Sequence, residues 1–160
     1  MTIILDLNTL PAIFDATCTD HQNFKPVKDW IIDGPGLIIF GGTKYQQELK
    51  KCQKFFRLFI ELGKINKTAE FETSLVDSYQ CKVEKLVKSS DFDDPHIVAL
   101  IAVSRCRLLA SNDQRSYRFI KQKKLYPKDT HKPKIYTGLK NQKLLSNLNL
   151  IKINKSLLRE

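Results

Sequence analysis

The chain has 160 residues, 42% of them hydrophobic, and a formal net charge of +10, which suits one globular domain with a single core. Its longest apolar runs, such as residues 37–40, are far too short to cross a membrane, and no basic-then-apolar leader precedes the first predicted strand. These features exclude a membrane-spanning class and predict a cytoplasmic protein.

The first forty residues predict two buried strands. Residues 2–5 form a short apolar run that ends at Asp6, and a helix follows with Pro11 in its first turn. Residues 20–35 mix polar and turn-forming side chains and predict no firm structure. Residues 37–40 predict the second strand, which two glycines close.

A long helix is predicted from Thr43 to about residue 62. Thr43 suits the N-cap, and Gln46 three residues later completes a capping-box pattern. The apolar stripe of this helix has helical spacing and consists of Cys52, Phe55, Phe59 and Leu62. Glu48 falls on the same stripe, where capping does not explain a carboxylate.

The second half of the chain continues the alternation of helices and strands. A helix is predicted over residues 73–88, with an inward seam of Leu75, Tyr79, Val83, Leu86 and Val87. After a loop at 89–93, Asp94 and Pro95 open a buried helix that ends near residue 105. Further along, the predicted elements are a strand at 108–110, a basic helix at 115–123 and a strand at 134–136. The tail from 148 to 158 shows no clear period.

Short apolar strands between helices predict an α/β domain with a mostly parallel central sheet flanked by helices. We expect residues 1–140 to form this domain and residues 141–160 to be a basic C-terminal extension that packs on it or trails from it. Functional sites in such sheets form at the carboxyl ends of the strands. Asp6 and Asp113 both follow predicted strands.

Four carboxylates from separate places are the candidate functional residues: Asp6, Glu48, Asp94 and Asp113. Burial of acidic groups costs free energy unless a bound cation offsets their desolvation. Carboxylate ligands favour Mg²⁺ or Mn²⁺, and one or two such ions can activate water and neutralise a phosphodiester. The three aspartates also have a structural explanation, because Asp94 suits a helix cap and the two strand-end aspartates suit turns, whereas capping does not explain Glu48.

Zinc and disulfide chemistry are not favoured. The four cysteines (Cys18, Cys52, Cys81 and Cys106) lie 25 to 34 residues apart, without the paired spacing of zinc sites, and the three histidines are equally scattered. A framework of disulfides is not expected in a chain without a leader. We expect the cysteines to be reduced and mostly in the core.

The second half of the candidate pattern resembles a known family. Asp94 stands two places before His96 and Ile97, an apolar helix follows, and a short strand ends in Ser111-Asn112-Asp113. This arrangement is similar to the signature half of PIN-domain nucleases. Residues 4–10 resemble the first motif of that family, and residues 45–49 resemble the second. The match runs in order from residue 2 to about residue 137.

The resemblance implies a PIN-like fold in which the four acids bind the metal, Asn8 orients Asp6, and Ser111 makes a hydrogen bond near the phosphate or the metal-bound water. PIN domains typically cleave single-stranded RNA, and many are toxins restrained by an antitoxin. The chain departs from the pattern at Arg118-Phe119, where many relatives carry a further acid before Phe. This change implies a weaker second metal position or an added phosphate contact.

The whole excess of positive over negative charge lies in the last 47 residues. Residues 1–113 carry 14 Lys and Arg against 15 Asp and Glu, whereas residues 114–160 carry 13 against 2. Nucleic acid is the leading partner, although an anionic membrane surface or an acidic protein would explain the same charge. The candidate RNA-binding residues are Arg115, Arg118, Lys121, Lys123 and Lys124. Their aromatic neighbours (Tyr117, Phe119 and Tyr126) are expected in the core.

Two functions therefore remain open from the sequence. The first is an endoribonuclease that cleaves single-stranded RNA, with an acidic antitoxin or other protein as partner. The second is a non-catalytic PIN-like module that binds RNA or docks a protein, for which Arg118 is the supporting feature. A receiver-type phosphoacceptor is discounted, because residues 7–10 supply no second acid after the first strand. The sequence leaves homodimer formation open.

Overall fold

The computed structural model describes residues 1–88, 90, 92–146 and 158. These residues form a five-stranded sheet in which every neighbouring pair of strands is parallel. The strands, in chain order, are β1 (Thr2–Leu5), β2 (Leu37–Gly41), β3 (Thr68–Phe71), β4 (Leu108–Ala110) and β5 (Lys134–Tyr136). The spatial order is β3-β2-β1-β4-β5, which confirms the predicted α/β class.

Helices connect the strands. Their bounds are α1 (Leu10–Phe14), α2 (His21–Ile32), α3 (Thr43–Lys51), α4 (Gln53–Lys64), α5 (Thr73–Leu86), α6 (Pro95–Ser104) and α7 (Gln114–Ile120). Short 3₁₀ segments occur at Leu7–Thr9, Lys123–Leu125 and Leu139–Leu145. None of the described helices is long and apolar enough to cross a membrane.

The centre of the sheet is also the centre of the core. Every residue of β1 is buried, as is every residue of β4, and Ile4 pairs with Leu109 across the two strands. A parallel strand covered on both faces needs apolar side chains at successive positions rather than at alternate ones. The uninterrupted apolar runs at these two places are the physical reason that the sequence predicts them correctly.

The unassigned stretch at 20–35 contains α2. Its buried face is made by Phe24, Val27 and Ile31 at helical spacing, with Pro26 inside the helix. Proline disfavours a helix interior because it removes one N–H donor and its ring crowds the preceding turn. Burial of the apolar face offsets this cost, and the sequence pattern alone did not reveal it.

The predicted long helix at 43–62 is two helices. The backbone leaves the helical region at Cys52, with φ −110° and ψ 95°, so α3 ends there and α4 begins. Cys52 is exposed rather than part of the buried stripe, although Phe55, Phe59 and Leu62 are buried as predicted. The predicted capping box is also wrong, because the N-cap is Gly42 and Thr43 instead donates its hydroxyl to Asp77 at 2.6 Å.

Two more expectations in the middle of the chain need correction. Strand β3 was not predicted, because its residues Thr68 to Glu70 are only partly buried and its apolar pattern is weak. Helix α5 buries Val76 and Val83, whereas Leu75 and Leu86 of the predicted seam are 41% and 57% exposed. Val83 confirms the predicted seam and Tyr79 and Val87 are half-buried, so the prediction is wrong at Leu75 and Leu86.

Helix α6 follows the prediction closely. Seven consecutive residues from His96 to Ala102 are buried. Arg105 ends the helix in the left-handed region, with φ 57°. Residues 90, 92 and 93 of the predicted loop at 89–93 lie outside helices and strands, as predicted. Residues 89 and 91, and residues 148–157 of the predicted tail, lie outside the described part of the chain.

The four cysteines are free thiols. Only Cys106 is buried, Cys18 is half-buried, and Cys52 and Cys81 are exposed, so the expectation that most of them lie in the core is wrong.

Candidate metal centre and nucleic-acid interface

The candidate site lies where the strand order of the sheet reverses. From β1 the chain proceeds outwards through β2 and β3, and then returns to place β4 on the other side of β1. Loops that follow two such strands turn away from each other and open a crevice at their carboxyl ends. Asp6 follows β1 and Ser111 follows β4, and the Asp6 N–H donates to the Ala110 carbonyl at 2.9 Å.

Asp6 is a buried carboxylate with two donors. Its Oδ2 accepts a hydrogen bond from the Ser111 hydroxyl at 2.8 Å, and its Oδ1 accepts one from the main-chain N–H of Asn8 at 3.2 Å. Burial raises the pKa of Asp6 to about 6, the Ser111 bond opposes that rise, and the negative charge of Asp94 adds to it. Asn8 thus orients Asp6 through its backbone, while its side chain is exposed.

Ser116 joins the other two aspartates. Its hydroxyl makes a short hydrogen bond to Oδ2 of Asp94 and lies 3.1 Å from Oδ2 of Asp113. Asp94 precedes α6 but makes no side-chain cap bond, so capping does not account for it. Sequence reasoning missed Ser116. The available signal was its position three residues after the helix-capping Asp113, where a hydroxyl turns back towards the cap.

Asp113 is held by Arg115 as well. It accepts the Arg115 main-chain N–H at 3.0 Å and contacts the guanidinium at 3.2 Å through Nε. Burial acts to raise the pKa of Asp113, but the hydrogen bonds from Arg115 and Ser116 outweigh it and hold the pKa below its ordinary value. Arg115, which we predicted to contact nucleic acid, is therefore paired with a member of the acidic group.

Glu48 does not belong to the serine-linked network, but it lines a pocket with Asp94. This pocket of about 730 Å³, the Glu48 pocket, is also lined by Asn8, Lys44 and Lys51. Lys44 Nζ lies 3.1 Å from Glu48 Oε1. The Glu48 side chain is 30% exposed and so faces the pocket rather than the core.

His96 lies behind Glu48. Its Nε2 is 3.6 Å from Glu48 Oε2, and its Nδ1 has no hydrogen-bond partner among the described residues. Burial lowers the pKa of His96, whereas the charge of Glu48 acts in the opposite direction. The sequence analysis did not include His96, Lys44 or Lys51 in the site. A signal for the two lysines was available, because Lys44, Glu48 and Lys51 lie at helical spacing on one face of α3.

The donor chemistry of the three aspartates suits a hard divalent cation, but their arrangement does not form a ready cage. Among the described residues, no group of three or more His, Cys, Asp or Glu side chains is placed so that it could hold a metal ion. Serine hydroxyls stand between the carboxylates instead. A cation shared by Asp94 and Asp113 would have to displace the Ser116 hydroxyl.

The basic residues of the last third differ in their surroundings. Lys123 donates its ammonium to the Lys128 and Thr130 carbonyls, which makes it part of a loop. The Arg118 guanidinium lies 4.7 Å from the Phe119 ring centroid, and the Lys121 ammonium lies 5.7 Å from that of Tyr117. Lys124 is exposed.

The aromatic residues of this region are largely in the core, as expected. Phe119 and Tyr126 are buried, and Tyr117 is half-buried. The Tyr126 hydroxyl donates to the Ile120 carbonyl at 2.6 Å. Base stacking on Phe119 or Tyr126 is therefore not offered by this arrangement.

Comparison of the chain with models of protein families, with curated proteins and with solved structures finds no match in any of the three. Similarity to known proteins therefore neither supports nor opposes the resemblance to PIN domains, which rests on the sequence motifs.

Proposed function

We propose that the chain is a phosphodiesterase of the PIN type that uses Mg²⁺ or Mn²⁺ to cleave single-stranded RNA. One observation carries the proposal: Asp6, Asp94 and Asp113 come from three separate elements and meet in one network at the point where the strand order reverses. Ser111 Oγ donates to Asp6 and accepts the Asp113 N–H at 3.2 Å, and Ser116 joins Asp113 to Asp94. Helix caps and turns do not require such convergence.

Three carboxylates of the chain would bind the cation in the proposed reaction. Asp94 and Asp113 would hold the cation on the side where Ser116 now links them, and Asp6 would complete its ligands from β1. A bound divalent ion supplies a more acidic water and neutralises charge on the phosphodiester. Ser111 keeps the Asp6 carboxylate aimed at this point by its 2.8 Å hydrogen bond.

The Glu48 pocket supplies a place for the RNA strand beside these acids. Lys44 and Lys51 line it, and ammonium groups bind phosphate oxygens as point charges. Glu48 stands beside Lys44 in the pocket that Asp94 also lines, where it can orient a water molecule. The excess of positive charge after residue 113 supports a polyanionic substrate.

The test is cleavage of an end-labelled single-stranded RNA with Mn²⁺, with Mg²⁺ and with chelator. We expect the parent to cleave RNA only when metal is present. Asp6→Asn and Asp94→Asn should each reduce the cleavage rate by at least about 100-fold, because mutation of residues that merely hydrogen-bond to metal ligands already reduces activity by about 10- to 100-fold. Asp33→Asn is the matched control, because Asp33 is exposed at the end of α2. Cleavage that survives both site substitutions would refute the proposal.

A non-catalytic RNA-binding module is the second candidate function. It is favoured by the pairing of Arg115 with Asp113 and by the lack of a three-ligand group among the described residues. This candidate predicts binding that depends on salt but is unaffected by chelator, with no cleavage products from any RNA.

A further inference from the structure

A second polar pocket lies on the other side of the acidic network. It has a volume of about 640 Å³ and is formed at the carboxyl ends of β4 and β5. We call it the Tyr117 pocket. The polar side chains that line it include Asp20, Asn112, Gln114, Tyr117, Lys121 and Lys140. The proposed reaction does not use any of them.

The Tyr117 pocket adjoins the acidic network directly. Asn112 stands between Ser111 and Asp113, both of which belong to the network. The Tyr117 hydroxyl donates to the Ser111 carbonyl at 2.6 Å. The Glu48 pocket, in contrast, is built from segments that follow β1 and β2 and from the start of α6. The three aspartates therefore separate two pockets along one edge of the sheet.

Each pocket contains two lysines. Lys121 and Lys140 are exposed in the Tyr117 pocket, as Lys44 and Lys51 are in the Glu48 pocket. Asp20 is the acidic residue that lines the Tyr117 pocket with Lys121 and Lys140, and its carboxylate accepts a hydrogen bond from the Asn23 side-chain amide at 2.6 Å. Two ammonium groups against one carboxylate leave the Tyr117 pocket positive, which favours a phosphate.

The pocket also offers groups that suit a base. Asn112 and Gln114 are exposed amides, each with donors and an acceptor for the edge of a base. Asn141 has a different role. Its side-chain amide donates to the Ile135 carbonyl and the Thr137 hydroxyl and accepts the Thr137 main-chain N–H, so it stabilises the wall of the pocket. A polar wall, a partly exposed ring and a positive rim are the features that nucleotides need from a site.

We propose that the Tyr117 pocket binds one nucleotide of a single-stranded RNA whose adjacent nucleotide occupies the Glu48 pocket. Lys121 and Lys140 contact the phosphate, and the amides of Asn112 and Gln114 contact the base. The strand thus crosses the three aspartates. The position of the cut phosphate in this proposal rests on the proposed nuclease function, whereas the binding of RNA by the two lysines does not.

The experiment is titration of a fluorescent single-stranded RNA with the full chain in chelator, at several salt concentrations. We expect Lys121→Gln combined with Lys140→Gln to weaken binding about tenfold and to reduce the slope of log affinity against log salt by about 0.7 per lysine. The control combines Lys128→Gln with Lys132→Gln, two exposed lysines that do not line the pocket. An equal loss in the control, or no loss in the Lys121 and Lys140 variant, would overturn the proposal.

Cleavage by the same variants separates this proposal from the nuclease proposal. If the parent cleaves RNA, the double variant should raise KM and leave kcat close to the parent value, because the lysines bind the substrate away from the reacting phosphate. Cleavage by the double variant with an unchanged KM would contradict RNA binding in the Tyr117 pocket but not the proposed nuclease activity. If the parent never cleaves RNA but the double variant loses RNA binding, the nuclease proposal is contradicted and the Tyr117 pocket proposal is supported.

Discussion

The hydroxyl of Ser111 donates a hydrogen bond to the carboxylate of Asp6 over a separation of 105 residues in the chain. The contact exists because β1 and β4 are neighbours at the centre of the sheet. Both residues are buried, at 1% and 6% exposure. The acidic network is thus attached to the buried centre of the sheet, and we expect substitutions within it to affect both stability and function.

Ser116 should make a measurable contribution to stability in the absence of metal. Ser116→Ala removes the donor that Asp94 and Asp113 share, and hydrogen bonds to charged groups contribute about 1.5 to 3 kcal/mol. We expect the free energy of unfolding to fall by about this amount in urea denaturation with chelator present. Saturating Mn²⁺ should reduce the deficit, since a cation would hold the two carboxylates in place of the hydroxyl.

Ser78→Ala is the control for this comparison, because Ser78 is exposed on α5 and should change the free energy of unfolding by no more than about 0.5 kcal/mol. A deficit in Ser116→Ala that Mn²⁺ leaves unchanged would argue against a cation between the two aspartates.

Asp6 should make stability depend on pH in a direction unusual for an aspartate. Its pKa is about 6 in the folded state against an ordinary 3.8, so the folded chain binds this proton more tightly than the unfolded chain does. The contribution is fully present below about pH 3.8 and is lost as the pH rises through about 6. Asp6→Asn should therefore gain stability relative to the parent between about pH 4 and about pH 8, by up to about 3 kcal/mol.

The measurement is chemical denaturation of parent and variant over this pH range with chelator present. Asp15→Asn provides a control of opposite sign, because the Lys54 hydrogen bond holds the pKa of Asp15 below its ordinary value. The stability that Asp15 contributes is present above the unfolded pKa and is lost on acidification. A constant difference between Asp6→Asn and the parent would contradict the raised pKa.

Cys52 offers a chemical test of the Glu48 pocket. It is an exposed thiol on the wall of that pocket, whereas Cys81 is an exposed thiol on α5, outside it. A bulky maleimide on Cys52 should reduce RNA cleavage at least about tenfold by filling the space beside Asp94. Cys52→Ser should keep its activity and become insensitive to the reagent.

Cys81→Ser should remain as sensitive as the parent, and bound RNA should slow the labelling of Cys52 but not of Cys81. Full cleavage by protein that mass spectrometry shows to be modified at Cys52 would place the substrate elsewhere.

Substitution of the neighbouring lysines Lys123 and Lys124 should change the free energy of unfolding to different extents. Lys123→Gln should lower the free energy of unfolding by about 1 kcal/mol, because its ammonium donates to two loop carbonyls. Lys124→Gln should change it by no more than about 0.5 kcal/mol, since Lys124 is exposed. Thermal unfolding of both variants tests the difference, and equal shifts would contradict the loop role of Lys123.

The sequence was informative where burial leaves little choice. The apolar runs that became β1, β2, β4 and α6 have no polar face, and their order along the chain was enough to predict a parallel α/β sheet. That topology then brings Asp6 and Asp113 to one edge, as predicted from their positions after strands. The convergence of Asp94 on them depends on the hydrogen bond between Ser116 of α7 and Asp94, which precedes α6.

The sequence was uninformative where tertiary contacts outweigh local preference. Helix α2 tolerates Pro26 because Phe24 and Val27 bury its face, and no local rule measures that compensation. Strand β3 has only one fully buried residue. Ser116 gave a weak signal because its main partner, Asp94, is 22 residues away and a hydroxyl carries no pattern over such a distance.

Ser111 connects more of the molecule than its size suggests. Its N–H donates to the Tyr136 carbonyl on β5, its carbonyl accepts from Tyr117, and its hydroxyl holds Asp6. A ligand in contact with the Tyr117 ring would therefore be linked to Asp6 by two hydrogen bonds that both involve Ser111. The same serine ties the wall of the Tyr117 pocket to the buried carboxylate at the centre of the sheet.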